Sequence, residues 1–267
     1  MAEQNNDLYI YGAVRAMTEE GKAAYAEQVY DEARGQFQSA INDSFGADIA
    51  DMMTEVFPLQ VAVDSPNAGT YEIGTSVAPS IVLDITRKGT DVASRSQVSF
   101  TPADGSLSQD KKTYTGAAIS SGTKTYRVEV TQGGQTVVHD GSDTNDAYKN
   151  KLKFTFLNYR YYGAVSSKPA NANAVKTLCQ NGTLTKQLSS STTMGKTALA
   201  ANKYFVFVIP TTSPNLIVKN ANSGGTIDNA GSGTFELARV NGTANINCKY
   251  VIVPASSNAW NFEITNS

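Results

Sequence analysis

Most of the chain alternates apolar and polar residues with a period of two, which is the pattern of β-strands with one buried face. The segment SIVLDIT, residues 80–86, places Ile81, Leu83 and Ile85 on one side of such a strand. The segment YRVEV repeats the pattern, and the Gly133-Gly134 pair that follows predicts a tight hairpin turn. Several short strands separated by Gly, Asp and Ser turns predict an immunoglobulin-like β-sandwich over residues 59–162.

A second β-rich region follows a stretch of small and polar residues that begins at Gly163, where we expect a domain boundary. Two segments in this region, NKYFVFVIPTTSPN and CKYVIVPASSNAW, share a Lys-Tyr pair, an apolar run, a proline and a polar turn. We interpret them as two strands with similar ends, and an ancient duplication is the alternative. Together with the neighbouring strand patterns, they predict a jelly-roll-like sandwich over residues 163–267.

The N-terminal segment departs from the period of two. Between Thr18 and Ala50 apolar residues recur in steps of three and four, which predicts an amphipathic helix that ends before Pro58. No second helix is predicted elsewhere in the chain to cover its apolar stripe. We therefore expect residues 1–58 to form an N-terminal arm and a helical stem through which copies of the chain associate. The predicted oligomer interface consists of Ala26, Tyr30, Ala33, Phe37, Ala40 and Ile41.

The charge and hydrophobicity of the chain argue against two classes of function, nucleic-acid binding and membrane insertion. The 24 acidic and 22 basic residues give a net charge of −2, so the chain lacks the basic footprint of a nucleic-acid-binding protein. No apolar run approaches the roughly 18 residues of a membrane span, so no membrane insertion is expected. The first six residues resemble no secretory signal, which predicts synthesis in a cytoplasm. In that compartment Cys179 and Cys248 are expected as free thiols, with a disulfide as the alternative.

Motifs for catalysis, metals and cofactors are weak. The Gly-Lys-Thr of MGKTAL lacks the earlier glycine of a phosphate-binding loop, because that position is Ser190. His139 is the single histidine, and no nucleophile-elbow pattern accompanies it. The acidic segment DGSDTND departs from the calcium-loop pattern and predicts a turn. The Asn-Gly-Thr triplets at Asn181 and Asn241 are interpreted as hairpin turns. We expect no enzyme activity, no metal and no cofactor.

Aromatic residues provide the one indication of a ligand surface. Tyr161 and Tyr162 lie in a cluster of tyrosines near the predicted domain boundary, and Trp260 lies near the C-terminus. Tyr and Trp stack well on sugar rings and serve as anchors in interfaces. These three residues are therefore candidate ligand contacts, and packing inside or between domains is the alternative.

The chain resembles the fibre proteins of crAss-like and related phages of Bacteroidales. The resemblance begins with Tyr30-Asp31-Glu32 followed by Phe37-Gln38-Ser39-Ala40-Ile41-Asn42, a pattern that marks the helical trimeric stem of that family. It continues in YEIGTSVAPSIVLDITRKGTDV, TYTGAAISSGTKTYRVEV and FLNYRYYGA, and in the distal KYFVFVIP and CKYVIVP.

This resemblance implies a virion structural fibre, made in the host bacterial cytoplasm. It also implies a homotrimer fixed to other virion proteins of the capsid, collar or tail, with distal domains that contact host cell-surface polysaccharide, and it implies no catalytic residues. A bacterial surface adhesin or carbohydrate-binding module is the main alternative. A polysaccharide depolymerase is a third.

Overall fold

The computed structural model describes Glu32, Gln36 and residues 57–267. Glu32 and Gln36 are helical and their side chains are exposed. The rest of the predicted stem lies outside the described residues. The same holds for all six predicted interface residues, Ala26, Tyr30, Ala33, Phe37, Ala40 and Ile41. Within the described part the chain is mainly β, as expected.

Residues 57–157 form the first β unit. Its strands are β1 (Leu59–Asp64), β2 (Gly69–Glu72), β3 (Ser80–Arg87), β4 (Thr90–Asp91), β5 (Gln97–Thr101), β6 (Ser106–Leu107), β7 (Thr113–Thr115), β8 (Thr123–Thr125), β9 (Arg127–Gln132), β10 (Gln135–Asp140) and β11 (Lys153–Leu157). Short 3-10 helices span Ala93–Arg95 and Lys149–Lys151. The strands form three sheets, ordered β1-β3-β7-β6 with β4 beside β3, β10-β9-β5, and β2-β11-β8. All pairs are antiparallel except β2 with β11.

All three sheets of the first β unit enclose one hydrophobic core. The alternation predicted for β3 is confirmed, since Ile81, Leu83 and Ile85 are at most 2% exposed. The strand pattern of β9 is confirmed in the same way by Val128 and Val130, which are fully buried. Apolar burial of this kind stabilises a domain by about 25 cal/mol per Å² of surface removed from water.

The hairpin between β9 and β10 has the predicted two-residue loop. Gln132 pairs with Gln135, which leaves Gly133 and Gly134 between the strands. Both glycines have positive φ angles, 54° and 78°. Two successive positive φ angles are what a type I′ turn needs, and glycine adopts them without a steric penalty.

Strands β1 and β10 lie side by side without backbone hydrogen bonds between them, and side chains of β10 connect them instead. Gln135 Oε1 accepts a 2.6 Å hydrogen bond from the Leu59 amide. His139 Nε2 lies 2.9 Å from the Val61 carbonyl oxygen, and its Nδ1 lies 3.2 Å from the Asp146 carboxylate. Asp146 belongs to the DGSDTND segment, which forms the expected turn. The single histidine thus connects β1 to that turn and has a structural role.

Residues 159–267 form the second β unit. Its elements are β12 (Tyr159–Val165), helix α1 (Ala172–Gln180), β13 (Thr185–Leu188), β14 (Met194–Leu199), β15 (Tyr204–Pro210), β16 (Leu216–Asn220), β17 (Thr226–Ile227), β18 (Gly231–Ala238), β19 (Asn245–Val253) and β20 (Trp260–Asn266). One sheet has the order β13-β12-β15-β19-β18 and the other has the order β14-β20-β16-β17. Every strand pair in the two sheets is antiparallel.

The five-stranded sheet of the second β unit is covered on both faces. On β15, Phe207 and Ile209 point into the core shared with the four-stranded sheet. Val206 and Val208 point into a second core, which helix α1 covers through Val175. A strand buried on both faces needs apolar residues at every position. The two similar segments of the sequence are β15 and β19, which pair side by side at the centre of this sheet.

Three features differ from the sequence-based expectations. The cores change at Asn158, whereas the boundary was expected at Gly163, which lies inside β12. Helix α1 was not predicted. It begins after Asn171, whose side chain accepts a 3.0 Å hydrogen bond from the Ala174 amide in a typical N-cap. Asn181 ends this helix as its C-cap, so the Asn181-Gly182 pair is a helix terminus and the hairpin expected there is wrong.

The double-sided burial of β15 predicts a steep stability cost for truncating its core residues. Phe207→Ala is expected to lower the free energy of unfolding by about 3–5 kcal/mol, because it leaves a cavity between the two sheets. Val138→Ala is the control, since Val138 is 40% exposed, and it should change stability by less than about 0.5 kcal/mol. Urea denaturation followed by fluorescence measures both. Equal effects of the two variants would contradict this core assignment.

Candidate functional site at the domain junction

The hairpin between β18 and β19 extends from the second β unit to the first. Residues 239–244 form its loop, which is closed by a 3.0 Å hydrogen bond from the Arg239 amide to the Ala244 carbonyl. Gly242 has a φ angle of 72°, a conformation that suits glycine. The turn predicted at Asn241-Gly242 is confirmed, although the loop is longer than the expected two residues.

Asn241 at the tip of this hairpin bonds to the first β unit. Its backbone N–H donates to Glu72 Oε2 at 2.7 Å. Its side-chain Nδ2 donates to the Ile73 carbonyl at 3.2 Å and to Thr75 Oγ1 at 2.9 Å. Its Oδ1 meanwhile accepts from the Thr243 amide and hydroxyl within its own loop. Both ends of the amide are thus used, which an aspartate could not reproduce because it has no N–H donors.

Glu72 and Gly74 shape the receiving surface. Glu72 is 7% exposed, and a carboxylate that deep requires hydrogen-bond donors such as the Asn241 amide. Gly74 has a φ angle of 95°, and a Cβ atom there would lie 2.6 Å from Thr243 Oγ1. A side chain at position 74 would therefore force the Thr243 hydroxyl to move and would be strained by the positive φ angle.

Asn158 is the single residue between β11 of the first β unit and β12 of the second. Its side-chain oxygen accepts a 2.7 Å hydrogen bond from Arg239 NH1. Its backbone carbonyl accepts from the Ser189 amide at 3.1 Å. The connection between the β units is therefore short and fixed on two sides, and the Asn241 contacts hold the units at a second point. Two separate points of attachment oppose bending between the units.

A cavity of about 150 Å³ lies at this junction. Ile73 and Leu157 of the first β unit contribute to its wall. The second β unit contributes Arg160 from β12 and several hydroxyl residues from two loops, including Ser190 and Thr212. The junction thus joins the units and also creates a concave surface, with both polar and apolar lining, to which both units contribute.

The three aromatic candidates do not form one surface. Tyr161 is 5% exposed in the core beneath helix α1, where burial raises the pKa of its phenol. Tyr162 points to the opposite face of the sheet and packs near Phe205, with ring centroids 6.5 Å apart. Trp260 is partly buried beside Phe262. Their main role in the structure is therefore packing, and Tyr161 is closed to a ligand.

Cys179 and Cys248 are free, buried thiols in the core between helix α1 and the five-stranded sheet. Burial raises the pKa of Cys179 to about 12 and that of Cys248 to about 11. Both groups therefore stay protonated near neutral pH. Since the thiolate is the reactive form, neither residue is a nucleophile in the folded protein.

Comparisons with known proteins add no family. No protein-family model matches the chain, and no match was found among curated proteins. Within residues 57–267 and the two described helical positions, no group of three or more His, Cys, Asp and Glu side chains is placed to hold a metal ion. In the same part of the chain, no helix is long and apolar enough to cross a membrane.

Asn181 provides a matched control for the Asn241 contacts. Both residues precede Gly-Thr and both accept local bonds from the following threonine, at 3.1 and 2.7 Å for Asn181 and at 3.1 and 2.8 Å for Asn241. Only Asn241 also reaches the other β unit. We expect Asn241→Ala to destabilise the chain by about 1–3 kcal/mol more than Asn181→Ala does, because it removes two side-chain hydrogen bonds between the units, to the Ile73 carbonyl and the Thr75 hydroxyl, while the backbone bond to Glu72 remains. Thermal and urea unfolding measure the difference, and equal losses would contradict the role of Asn241.

The thiol assignment predicts slow labelling in the native state. Ellman's reagent at pH 7.5 should react with neither cysteine while the chain is folded, since both are buried and their raised pKa values leave little thiolate. In denaturant both cysteines should react at once. Rapid labelling of the folded protein, or labelling of neither cysteine after denaturation without reductant, would contradict this assignment.

Proposed function

We propose that the chain is a structural fibre of a phage virion. In this proposal residues 1–58 associate as a homotrimeric helical stem and attach to other virion proteins of the capsid, collar or tail. The two β units then project from the particle, and the distal unit contacts host cell-surface polysaccharide. The fibre carries no catalytic residues and no cofactor, and it is made in the host bacterial cytoplasm.

The observation that carries this proposal is the fixed junction between the β units. Domains joined by a flexible linker reorient freely, and relative motion is the normal expectation for small interfaces. Here the connection is a single residue, Asn158, and Asn241 adds hydrogen bonds at a second point. A connection of this kind transmits orientation from one unit to the next, as a projecting fibre requires.

The stem part of the proposal rests on the sequence pattern. Glu32 and Gln36 are helical and exposed, and both lie outside the predicted seam. The seam alternates small alanines with aromatic residues at heptad spacing, which suits close packing of identical helices around one axis. A single chain would leave this stripe in contact with water, so association of copies is the favourable arrangement.

The fold of each β unit is assigned in the same proposal. We assign the first unit as immunoglobulin-like and the second as jelly-roll-like with an added helix, by analogy with the modules of such fibres. A carbohydrate-binding module remains the second candidate function. The cavity at the junction favours it, because its hydroxyl residues can supply the polar partners that a sugar needs in a concave surface.

Trimerisation is tested by a charge placed in the seam. The full chain should be a trimer by light scattering coupled to gel filtration at micromolar concentration. Phe37→Asp should convert it to a monomer, because three buried carboxylates would face one another at the axis. Gln36→Asp adds the same charge at an exposed helical position and should leave the trimer intact.

A monomeric wild-type chain, or a Phe37→Asp variant that stays trimeric, would contradict the stem. Placement on the particle needs a separate measurement. Gold-labelled antibody raised against residues 163–267 should decorate projections on purified virions, and labelling confined to the bacterial surface would favour the adhesin alternative.

A further inference from the structure

The cavity at the junction has walls from several parts of the fold. The first β unit contributes Ile73 and Leu157. The loop between β13 and β14 contributes residues 189–192, and the loop between β15 and β16 contributes Thr212 and Ser213. Its volume of about 150 Å³ is below the roughly 300–1,000 Å³ typical of pockets for larger ligands. It therefore suits a group of about one sugar ring.

Arg160 contributes a positively charged guanidinium to this cavity, and neighbouring residues fix its orientation. Gln187 Oε1 accepts hydrogen bonds from its Nε at 3.1 Å and its NH2 at 2.7 Å. The Thr193 carbonyl accepts from NH1 at 3.2 Å. The guanidinium also lies over the ring of Tyr162, 5.3 Å from its centroid. These contacts fix the orientation of the group and use three of its five N–H donors, so two remain for a ligand.

The charge of Arg160 has no acidic partner. No carboxylate forms an ion pair with Arg160 in the described part of the chain. No Asp or Glu lines the cavity either. A planar guanidinium with free N–H groups binds a carboxylate through charge-assisted hydrogen bonds, which are stronger than neutral ones. The cavity is therefore complementary to an anion.

The hydroxyl groups indicate the rest of the ligand. The side-chain hydroxyls of Ser190, Thr212 and Ser213 make no hydrogen bond to the described protein and line the same cavity. Each can donate one hydrogen bond and accept others, which matches the hydroxyls of a sugar. Ile73 and Leu157, which are partly exposed, provide apolar contact for the C–H groups of a ring.

We propose that this cavity binds one hexuronate residue, a sugar that carries a carboxylate. The carboxylate lies on the free N–H groups of Arg160, and the ring hydroxyls bond to the serine and threonine side chains. The inference rests on the proposed function for its biological setting, since an acidic glycan on the host surface would supply the hexuronate. The complementarity itself depends only on the junction.

Two glycosides that differ in one group test the proposal. Methyl β-D-glucuronide and methyl β-D-glucoside share the ring and differ in carboxylate against hydroxymethyl. Saturation-transfer NMR and calorimetry on the full-length chain should give a dissociation constant about tenfold lower for the glucuronide, the effect of one charge-assisted contact. Arg160→Gln should remove this preference, so that the two glycosides bind with equal, weak affinity.

Two further variants keep the result interpretable. Arg127→Gln removes an exposed arginine of the first β unit, whose partner is Glu129, and should bind the glucuronide as the wild type does. Thr212→Trp fills the cavity without altering a contact of Arg160, and it should abolish binding of both glycosides. The unfolding temperature of each variant reports on folding.

Four outcomes would each overturn the hexuronate assignment. They are equal affinity of the wild type for the two glycosides, a glucuronide preference that survives Arg160→Gln, binding that survives Thr212→Trp, and no binding by the wild type. Light scattering on the same samples separates this outcome from the fibre proposal. A trimer that binds no glucuronide leaves the stem supported and the ligand wrong, and a monomer that binds it gives the reverse.

Discussion

The hydrogen bonds of Asn241 are the interaction on which the arrangement of the two β units depends. Asn241 lies at the end of a hairpin in the second unit and satisfies a buried carboxylate and a carbonyl of the first. Without these bonds the units would keep Asn158 and the contacts between β2 and β13, but would lose the hydrogen bonds that the hairpin makes to Glu72, Ile73 and Thr75. The wall of the junction cavity comes from both units, so its shape depends on their arrangement.

The contact is effective because the hairpin that carries it extends from a rigid sheet. Strand β19 pairs with β15 and β18 and is buried on both faces, between helix α1 and the four-stranded sheet. Close-packed protein interiors deform little. Core packing in the second β unit therefore fixes where the tip of the hairpin lies, and the tip fixes the first unit. The position of the first unit thus depends on the core of the second, and the shape of the cavity depends on both.

The sequence predicts these features unequally. Period-two alternation identified β3 and β9, because each has one buried face. The Gly133-Gly134 turn was predictable from local chemistry. Helix α1 was missed, since its short segment ANAVKTLCQ is mostly small and polar. The predicted domain boundary at Gly163 lies a few residues after the change of core at Asn158, because only one residue separates β11 from β12 and no linker marks the change. Asn241 was predicted as a turn, but Glu72, its partner, lies 169 positions away, a pairing that local patterns cannot indicate.

A distance measurement between the two β units tests most directly whether they form one rigid body. Spin labels at Val138 in the first unit and Lys196 in the second occupy exposed positions, while the native cysteines are buried. Double electron-electron resonance on doubly labelled chains diluted with unlabelled ones should give a single narrow distance distribution. A broad distribution would show that the units reorient and would contradict the account.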